Sequence, residues 1–255
     1  MNEINVAVHA AKQAGNLLRE SFKLQHQISY KGVINMVTEI DKESERLITE
    51  ILGQSFPDYG FLGEEGSLVE GNGESRWIVD PIDGTTNYAH SYPLFAISIA
   101  LEVKGEVVLG VVYNPLLDEM FTSQKGRGSF MNGEAIHITD NAELSKAMLA
   151  SGFPYDVWSS PINNCPEWER FIKHTVSVRC DGVASLDLAY VAAGRIDGYW
   201  ELNLEPWDMA AGALIVQEAG GQVSLSSGKN FSIYNHSILA SNGSLHRSML
   251  EMLNS

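Results

Sequence analysis

The sequence predicts a mixed α/β protein in which two sheets are layered with helices, and three observations carry that reading. Apolar residues recur at helical spacing near the N-terminus, short β-branched runs follow one another between Trp77 and Ile138, and strand-like and helix-like segments alternate beyond residue 142. At 255 residues the chain is long enough for one large unit with a substantial core. No internal repeat or low-complexity linker divides it, so residues 1–255 read as a single domain with a soft internal division near 142.

Taken in order, Ile4, Val8, Ala11, Leu18 and Phe22 define an amphipathic N-terminal helix that docks on the body. A second helix runs from Lys42 to about Gln54, its apolar stripe formed by Leu47, Ile48, Ile51 and Leu52; Asp41 stands at its start and Pro57 just beyond its end. The runs WIV, FAISIALEV, EVVLGVVY and EMFTS read as strands of a mostly antiparallel sheet. Lys104-Gly105 and Asn132-Gly133 supply hairpin turns, since glycine takes the positive φ such turns need. Strands then follow near Met148–Ser151, Ile196–Glu201, Val223–Leu225 and Ile238–Ala240. Helices are expected near Ser185–Ala193, from Pro206 to Ala219 with Gly220-Gly221 as its stop, and over Leu245–Leu253.

Charge narrows the partners. Lys and Arg number 17 against 32 Asp and Glu, a net charge of −15, which disfavours direct nucleic-acid binding and any hold on anionic lipid. The most apolar stretch, Leu94–Leu101, is too short to span a bilayer, and the N-terminus lacks the cationic start and apolar core of a secretion signal. A cytoplasmic location is the expectation. Cys165 and Cys180 form neither a disulfide framework nor a metal-binding cluster and read as buried small hydrophobes or free thiols.

Three acidic clusters fall where the chain turns: Glu64-Glu65 between glycines, Asp80-Pro81-Ile82-Asp83-Gly84-Thr85-Thr86, and Asp208 after Pro206-Trp207. The strand WIV delivers Asp80 to the carboxyl end of a sheet, while Pro81 and Gly84 fold the chain back, so Asp80 and Asp83 can aim at one point. Two carboxylates brought together repel unless a cation sits between them. Magnesium suits such a place, because it takes hard oxygen ligands and keeps waters and phosphate oxygens in its shell. Gly84, Thr85 and Thr86 would then offer backbone N–H groups to an anion. Each cluster also has a plain reading: a turn for Asp80–Gly84, a solvated loop for Glu64-Glu65, and a helix-dipole partner for Asp208.

In combination the clusters resemble the inositol monophosphatase family of lithium-sensitive, magnesium-dependent phosphatases. The resemblance rests on GEEG at Gly63–Gly66, WIVDPIDGTTNY at Trp77–Tyr88, GVVYNPLLDEMF at Gly110–Phe121 and PWDMAAGALIVQEAGG at Pro206–Gly221, and it covers essentially the whole chain. It implies a layered αβαβα sandwich of the inositol monophosphatase and fructose-1,6-bisphosphatase type, with an N-terminal metal-binding half and a C-terminal half that completes the site. It further implies two or three Mg2+ ions per site. Glu64, Asp80 and the carbonyl of Ile82 would hold the first, Asp80, Asp83 and Asp208 the second, and Glu64 with waters a looser third. Thr85, with Glu64 and Asp41, matches the group that activates the nucleophilic water. Gly84, Thr85, Asp83, Ala184 and Glu201 match the substrate pocket, Glu201 as acceptor for polyol hydroxyls, and Lys31 would assist the phosphate region.

The implied reaction is hydrolysis of a small phosphate monoester, myo-inositol 1-phosphate before others, with lithium inhibition and a homodimeric assembly. Histidinol phosphate, fructose 1,6-bisphosphate and a 3′-phosphonucleotide are alternative substrates of the same fold, and a non-catalytic regulatory binding protein is the alternative from another class. Two departures touch the substrate side: the segment between Gly152 and Arg179 is shorter than usual, and Val183 and Ser185 stand where Ser or Thr and Ala are more common.

Overall fold

A computed structural model describes residues 2–22, 28–31 and 35–255. Helices α1 (Glu3–Ser21) and α2 (Glu39–Ser55) flank a two-stranded hairpin, β1 (Ile28–Lys31) and β2 (Asn35–Thr38). The side chain of Lys31 lies outside what is described. Strands β3 (Gly60–Gly63), β4 (Leu68–Val69), β5 (Ser75–Asp83), β6 (Ala96–Val103), β7 (Glu106–Asn114), β8 (Glu119–Gln124), β9 (Ser129–Met131) and β10 (Glu134–Ala135) follow, with the short helix α3 (Thr85–Ala89) after β5. They form one eight-stranded sheet in the order β10-β9-β8-β7-β6-β5-β3-β4. A five-stranded sheet is built from β11 (Met148–Ser151), β12 (Ser177–Arg179), β13 (Gly198–Leu202), β14 (Gln222–Ser224) and β15 (Ser237–Ser241), in the order β12-β11-β13-β15-β14. Helices α4 (Cys165–Ile172), α5 (Ala184–Ala192), α6 (Pro206–Glu218) and α7 (His246–Leu253) complete the chain.

Three apolar cores bind five layers. Ile97, Ile99 and Val111 of the large sheet point to α1 and α2, whereas the intervening Ala96, Ala100 and Val112 point to α5 and α6. This is the two-residue period of a strand buried on both faces. Helices α5 and α6 lie between the sheets and are apolar on nearly every side, Leu186, Leu188, Met209 and Ile215 being at most 1% exposed. A third core, with Phe171, Trp200, Leu245 and Met249, packs the outer face of the small sheet against α4 and α7. The arrangement is an αβαβα sandwich, as expected.

Helix α2 begins three residues earlier than its apolar stripe suggests, which puts Asp41 inside the first turn. Both hairpin turns form where expected, with Lys104, Gly105, Asn132 and Gly133 all at positive φ. Elements the periodicity left unread include β1, β2, β3, β4, α3, α4 and β12, each of eight residues or fewer. Both cysteines are free thiols but exposed rather than buried; Cys165 opens α4 and Cys180 follows β12 directly.

Candidate active site

The site starts from a pair of neighbouring parallel strands. β3 and β5 pair with Leu62 opposite Ile78 and Gly63 opposite Val79, so Glu64 and Asp80 leave the sheet side by side. The Glu64 N–H donates to the Val79 carbonyl at 3.2 Å, extending that pairing one step past β3. A bulge between Asp80 and Asp83 in the β5–β6 ladder then turns the chain. The Asp80 carboxylate stabilises this turn, its Oδ1 accepting the Ile82 N–H at 2.9 Å. Gly84 follows at φ +94°, in the left-handed region that favours glycine, and α3 begins at Thr85.

Asp83 is the bridge to the second half of the molecule. Its Oδ2 accepts the Ser185 N–H at 2.6 Å, at the first turn of α5. Burial pushes the Asp83 carboxyl up to about 6, although Ser185 and the Ala184 N–H act to lower it. The Ser185 hydroxyl is buried outside hydrogen-bond geometry in this rotamer, yet lies near enough to favour the Asp83 charge. Thus the N–H of Ala184, a residue expected at the substrate pocket, and that of Ser185 are directed to the Asp83 carboxylate.

Asp208 arrives on the first turn of α6. It fulfils the plain expectation, since its Oδ2 accepts the Glu205 N–H at 2.7 Å within a capping box. It also faces the cluster: burial first, then the charges of Asp83 and Glu64, hold its carboxyl well above the usual range. Asp80 is raised well above that range too, by burial and then by Glu64, Asp83 and Asp208. Among the described residues, no Lys, Arg or His forms an ion pair with Asp80, Asp83 or Asp208.

Thr85 and Asp41 meet as expected. The Thr85 hydroxyl is 2.9 Å from Asp41 Oδ1 and 3.0 Å from the Ile82 carbonyl, so its one hydrogen goes to either acceptor. Asp41, fully buried on α2, is one of those two acceptors.

Glu201 sits on β13 and packs against the backbone of Gly152, where a Cβ would lie 2.2 Å from its Oε2. It accepts a hydrogen bond from the Tyr199 hydroxyl, and burial pushes its carboxyl up to about 7. The neighbouring tryptophans have packing roles. Trp200 is buried, donates from Nε1 to Asn164 Oδ1 at 2.7 Å and stacks on Phe171, while Trp207 packs on the central core.

Three further residues at the site were not among those expected from the sequence. Glu45 on α2 accepts the N–H groups of Glu65 and Ser67 at 2.8 and 3.0 Å. Tyr155, half exposed, stands within electrostatic reach of the cluster, its phenol pushed up by partial burial and then by the charges of Glu64, Asp208, Asp83 and Asp80. Asp187 on α5 is buried and raised, by burial and then by Asp181, Glu201 and Asp83, with Oδ1 making no hydrogen bond. A polar residue inside a helix pattern could have flagged Glu45 and Asp187; nothing local marks Tyr155.

Can these residues hold a cation? Asp80, Asp83 and Asp208 each commit one oxygen to a backbone N–H, which leaves the other available to a shared ligand. Their buried, mutually repelling charges are what a divalent ion relieves, and the donor set is all hard oxygen. Among the described residues no three His, Cys, Asp or Glu side chains form a ready-made cation site. The donor chemistry fits.

Comparison with known proteins agrees along the full length. The profile of the inositol monophosphatase family matches residues 2–255. The chain is 43% identical over 251 residues to an inositol-1-monophosphatase of Mesorhizobium japonicum, covering 97% of this chain and 94% of that one. It is 40% identical over 256 residues to the Nus factor SuhB of Pseudomonas aeruginosa, covering 97% and 94%. The crystal structure of the extragenic suppressor protein suhB from Bartonella henselae superimposes with a TM-score of 0.93 at 39% identity, covering 98% of each chain. With a carboxylate cluster built by three separate segments and a match that leaves no segment of the fold unaccounted for, this chain belongs to the inositol monophosphatase family and is a phosphoric monoester hydrolase.

Proposed function

We propose that the protein hydrolyses a small phosphorylated polyol, myo-inositol 1-phosphate in the first instance, with Mg2+ held by Glu64, Asp80, the Ile82 carbonyl, Asp83 and Asp208. The observation that carries this reading is that the buried Asp80 and Asp208, from β5 and α6, hold their protons well above the usual range because of burial and then neighbouring carboxylates, while no Lys, Arg or His forms an ion pair with either among the described residues. When bound, magnesium supplies the positive charge that makes a water nucleophilic and a phosphate electrophilic at neutral pH. The chain's own groups do the positioning. Asp41 takes the Thr85 hydrogen, so the hydroxyl oxygen accepts one from the attacking water, and Glu64 receives the proton that water releases. The N–H groups of Gly84 and Thr85 contribute to the phosphate cradle, and Glu201 accepts hydrogen bonds from hydroxyls of the leaving alcohol. No covalent enzyme intermediate is needed. The same arrangement leads us to expect lithium inhibition, since a small monovalent ion can take a site among Asp80, Asp83 and Asp208 without supplying the charge of a divalent one.

A homodimer in the cytoplasm is the proposed state. Among the described residues no helix is long and apolar enough to cross a membrane. A regulatory role beside catalysis is a second reading, favoured by the 40% identity to a relative named as a Nus factor. The test is phosphate release with magnesium and with excess chelator, across myo-inositol 1-phosphate, histidinol phosphate, fructose 1,6-bisphosphate and a 3′-phosphonucleotide. Highest kcat/KM for inositol 1-phosphate, abolished by chelator, is the expected result; preference for another substrate reassigns the pocket, and full turnover in chelator refutes the metal reading.

A further inference from the structure

Helix α2 carries three polar side chains on one face, at positions i, i+3 and i+4, and each grips a different part of the site. Asp41 holds Thr85 at 2.9 Å, and the Ser44 hydroxyl donates to the Pro81 carbonyl at 3.2 Å. Glu45 holds the loop that bears Glu64: Oε2 accepts the Glu65 N–H at 2.8 Å and Oε1 the Ser67 N–H at 3.0 Å. On the other side of Glu64, Gly63 presses against the same carboxylate so closely that a Cβ there would fall 2.2 Å from Oε2. The loop is therefore seated on Glu45 both before and after Glu64, and a Cβ at Gly63 would displace the Glu45 carboxylate.

Glu45 is only 2% exposed, and no Lys, Arg or His forms an ion pair with it among the described residues. Burying an unpaired carboxylate is costly, and two charge-assisted bonds from amides are what compensate it here. An internal turn does not need that device: this one already closes through Gly66 N–H to Gly63 carbonyl at 3.3 Å and Gly63 N–H to Ser67 carbonyl at 2.9 Å. The β3–β5 register and the Glu64 N–H to Val79 carbonyl bond set where the turn leaves the sheet. Glu45, anchored on α2 beside the residues that hold Pro81 and Thr85, ties the following residues of the turn to that helix and so braces the loop on the side the sheet does not hold.

We propose that Glu45 is a positioning residue that braces the loop carrying Glu64 against α2 and thereby sets the affinity of the protein for its divalent cation. The inference rests on the metal chemistry proposed above, and its test separates the two. Glu45→Ala and Glu45→Gln are compared with wild type by magnesium calorimetry, by the magnesium dependence of phosphate release, and by amide hydrogen exchange at Glu65 and Ser67 in metal-free protein. Loss of such a supporting partner weakens metal binding roughly 10- to 100-fold. Glu45→Ala is expected to show that loss together with faster exchange at both amides, while kcat at saturating magnesium changes only a few-fold. Glu45→Gln, which keeps one acceptor oxygen, falls between and carries the test if the alanine variant does not fold. A lowered Tm with unchanged magnesium affinity, or unchanged exchange at the two amides, overturns the inference and leaves Glu45 a fold-stabilising residue. Wild-type turnover in excess chelator refutes the metal reading instead, independently of how the variants behave.

Discussion

Replacing Glu201 by Gln separates recognition from chemistry. The side chain touches no carboxylate of the metal cluster by hydrogen bond; its partners are the Tyr199 hydroxyl and the Gly152 backbone. Alanine is the wrong substitution, because it strands the Tyr199 hydroxyl, a group 0% exposed, at a cost of about 1–3 kcal/mol. Glutamine keeps the volume and an oxygen that accepts from Tyr199, and removes only the charge. A hydrogen bond to a charged acceptor contributes about 1.5–3 kcal/mol, so kcat/KM for a polyol phosphate is expected to fall about 10- to 150-fold. An aryl phosphate, which has no hydroxyl for Glu201 to accept, should change less than about three-fold. The carboxyl is raised to about 7, so protonation removes the same charge in the wild type. The wild-type advantage on the polyol over the aryl phosphate should therefore shrink as pH falls through about 7 and be absent from the variant. Initial rates on both substrates from pH 5.5 to 8.5 make the comparison. An equal loss on both substrates would place Glu201 in the catalytic scaffold, and no loss on either would remove it from recognition.

Asp83→Asn and Asp208→Asn each keep an oxygen for the Ser185 or Glu205 N–H, so both should fold while losing about 100-fold or more in kcat; wild-type turnover in either would reduce these acids to turn and cap residues. In metal-free protein, Asp80, Asp83, Asp208 and Glu201 hold their protons to higher pH in the folded than in the unfolded state. The folded form thus binds more protons above about pH 4, and stability should fall as pH rises toward 7, with magnesium raising Tm most at neutral pH. A flat Tm against pH in chelator would contradict that sign. His246 acts oppositely: burial between Ser224 and Ser241 lowers its pKa from 6.5, so its share of stability is lost as pH falls below about 6.5, and His246→Gln should remove that acid-side loss in thermal melts. Lithium at millimolar levels should inhibit phosphate release, and insensitivity would count against a small-cation site at Asp83 and Asp208.

By itself the sequence determined the long elements and the chemical vocabulary. Strands β5 to β8 and helices α1, α2 and α6 announce themselves by period and by turn residues such as Lys104-Gly105 and Gly220-Gly221, because those signals arise between near neighbours. The motifs around Glu64, Asp80 and Asp208 were legible for the same reason, each being a contiguous stretch. Only the tertiary structure decided how they meet. The four-residue strand β3 has too few residues for a readable alternation, yet its parallel register with β5 is what sets Glu64 beside Asp80. Glu45 and Asp187 look like ordinary helix residues until the packing of α2 and α5 buries them at 2% exposure beside the site. Tyr155 comes within reach of the carboxylates' charge from the segment between β11 and α4. These contacts join residues far apart in the chain, where no local pattern relates one to the other, so their geometry exists only once the five layers have closed.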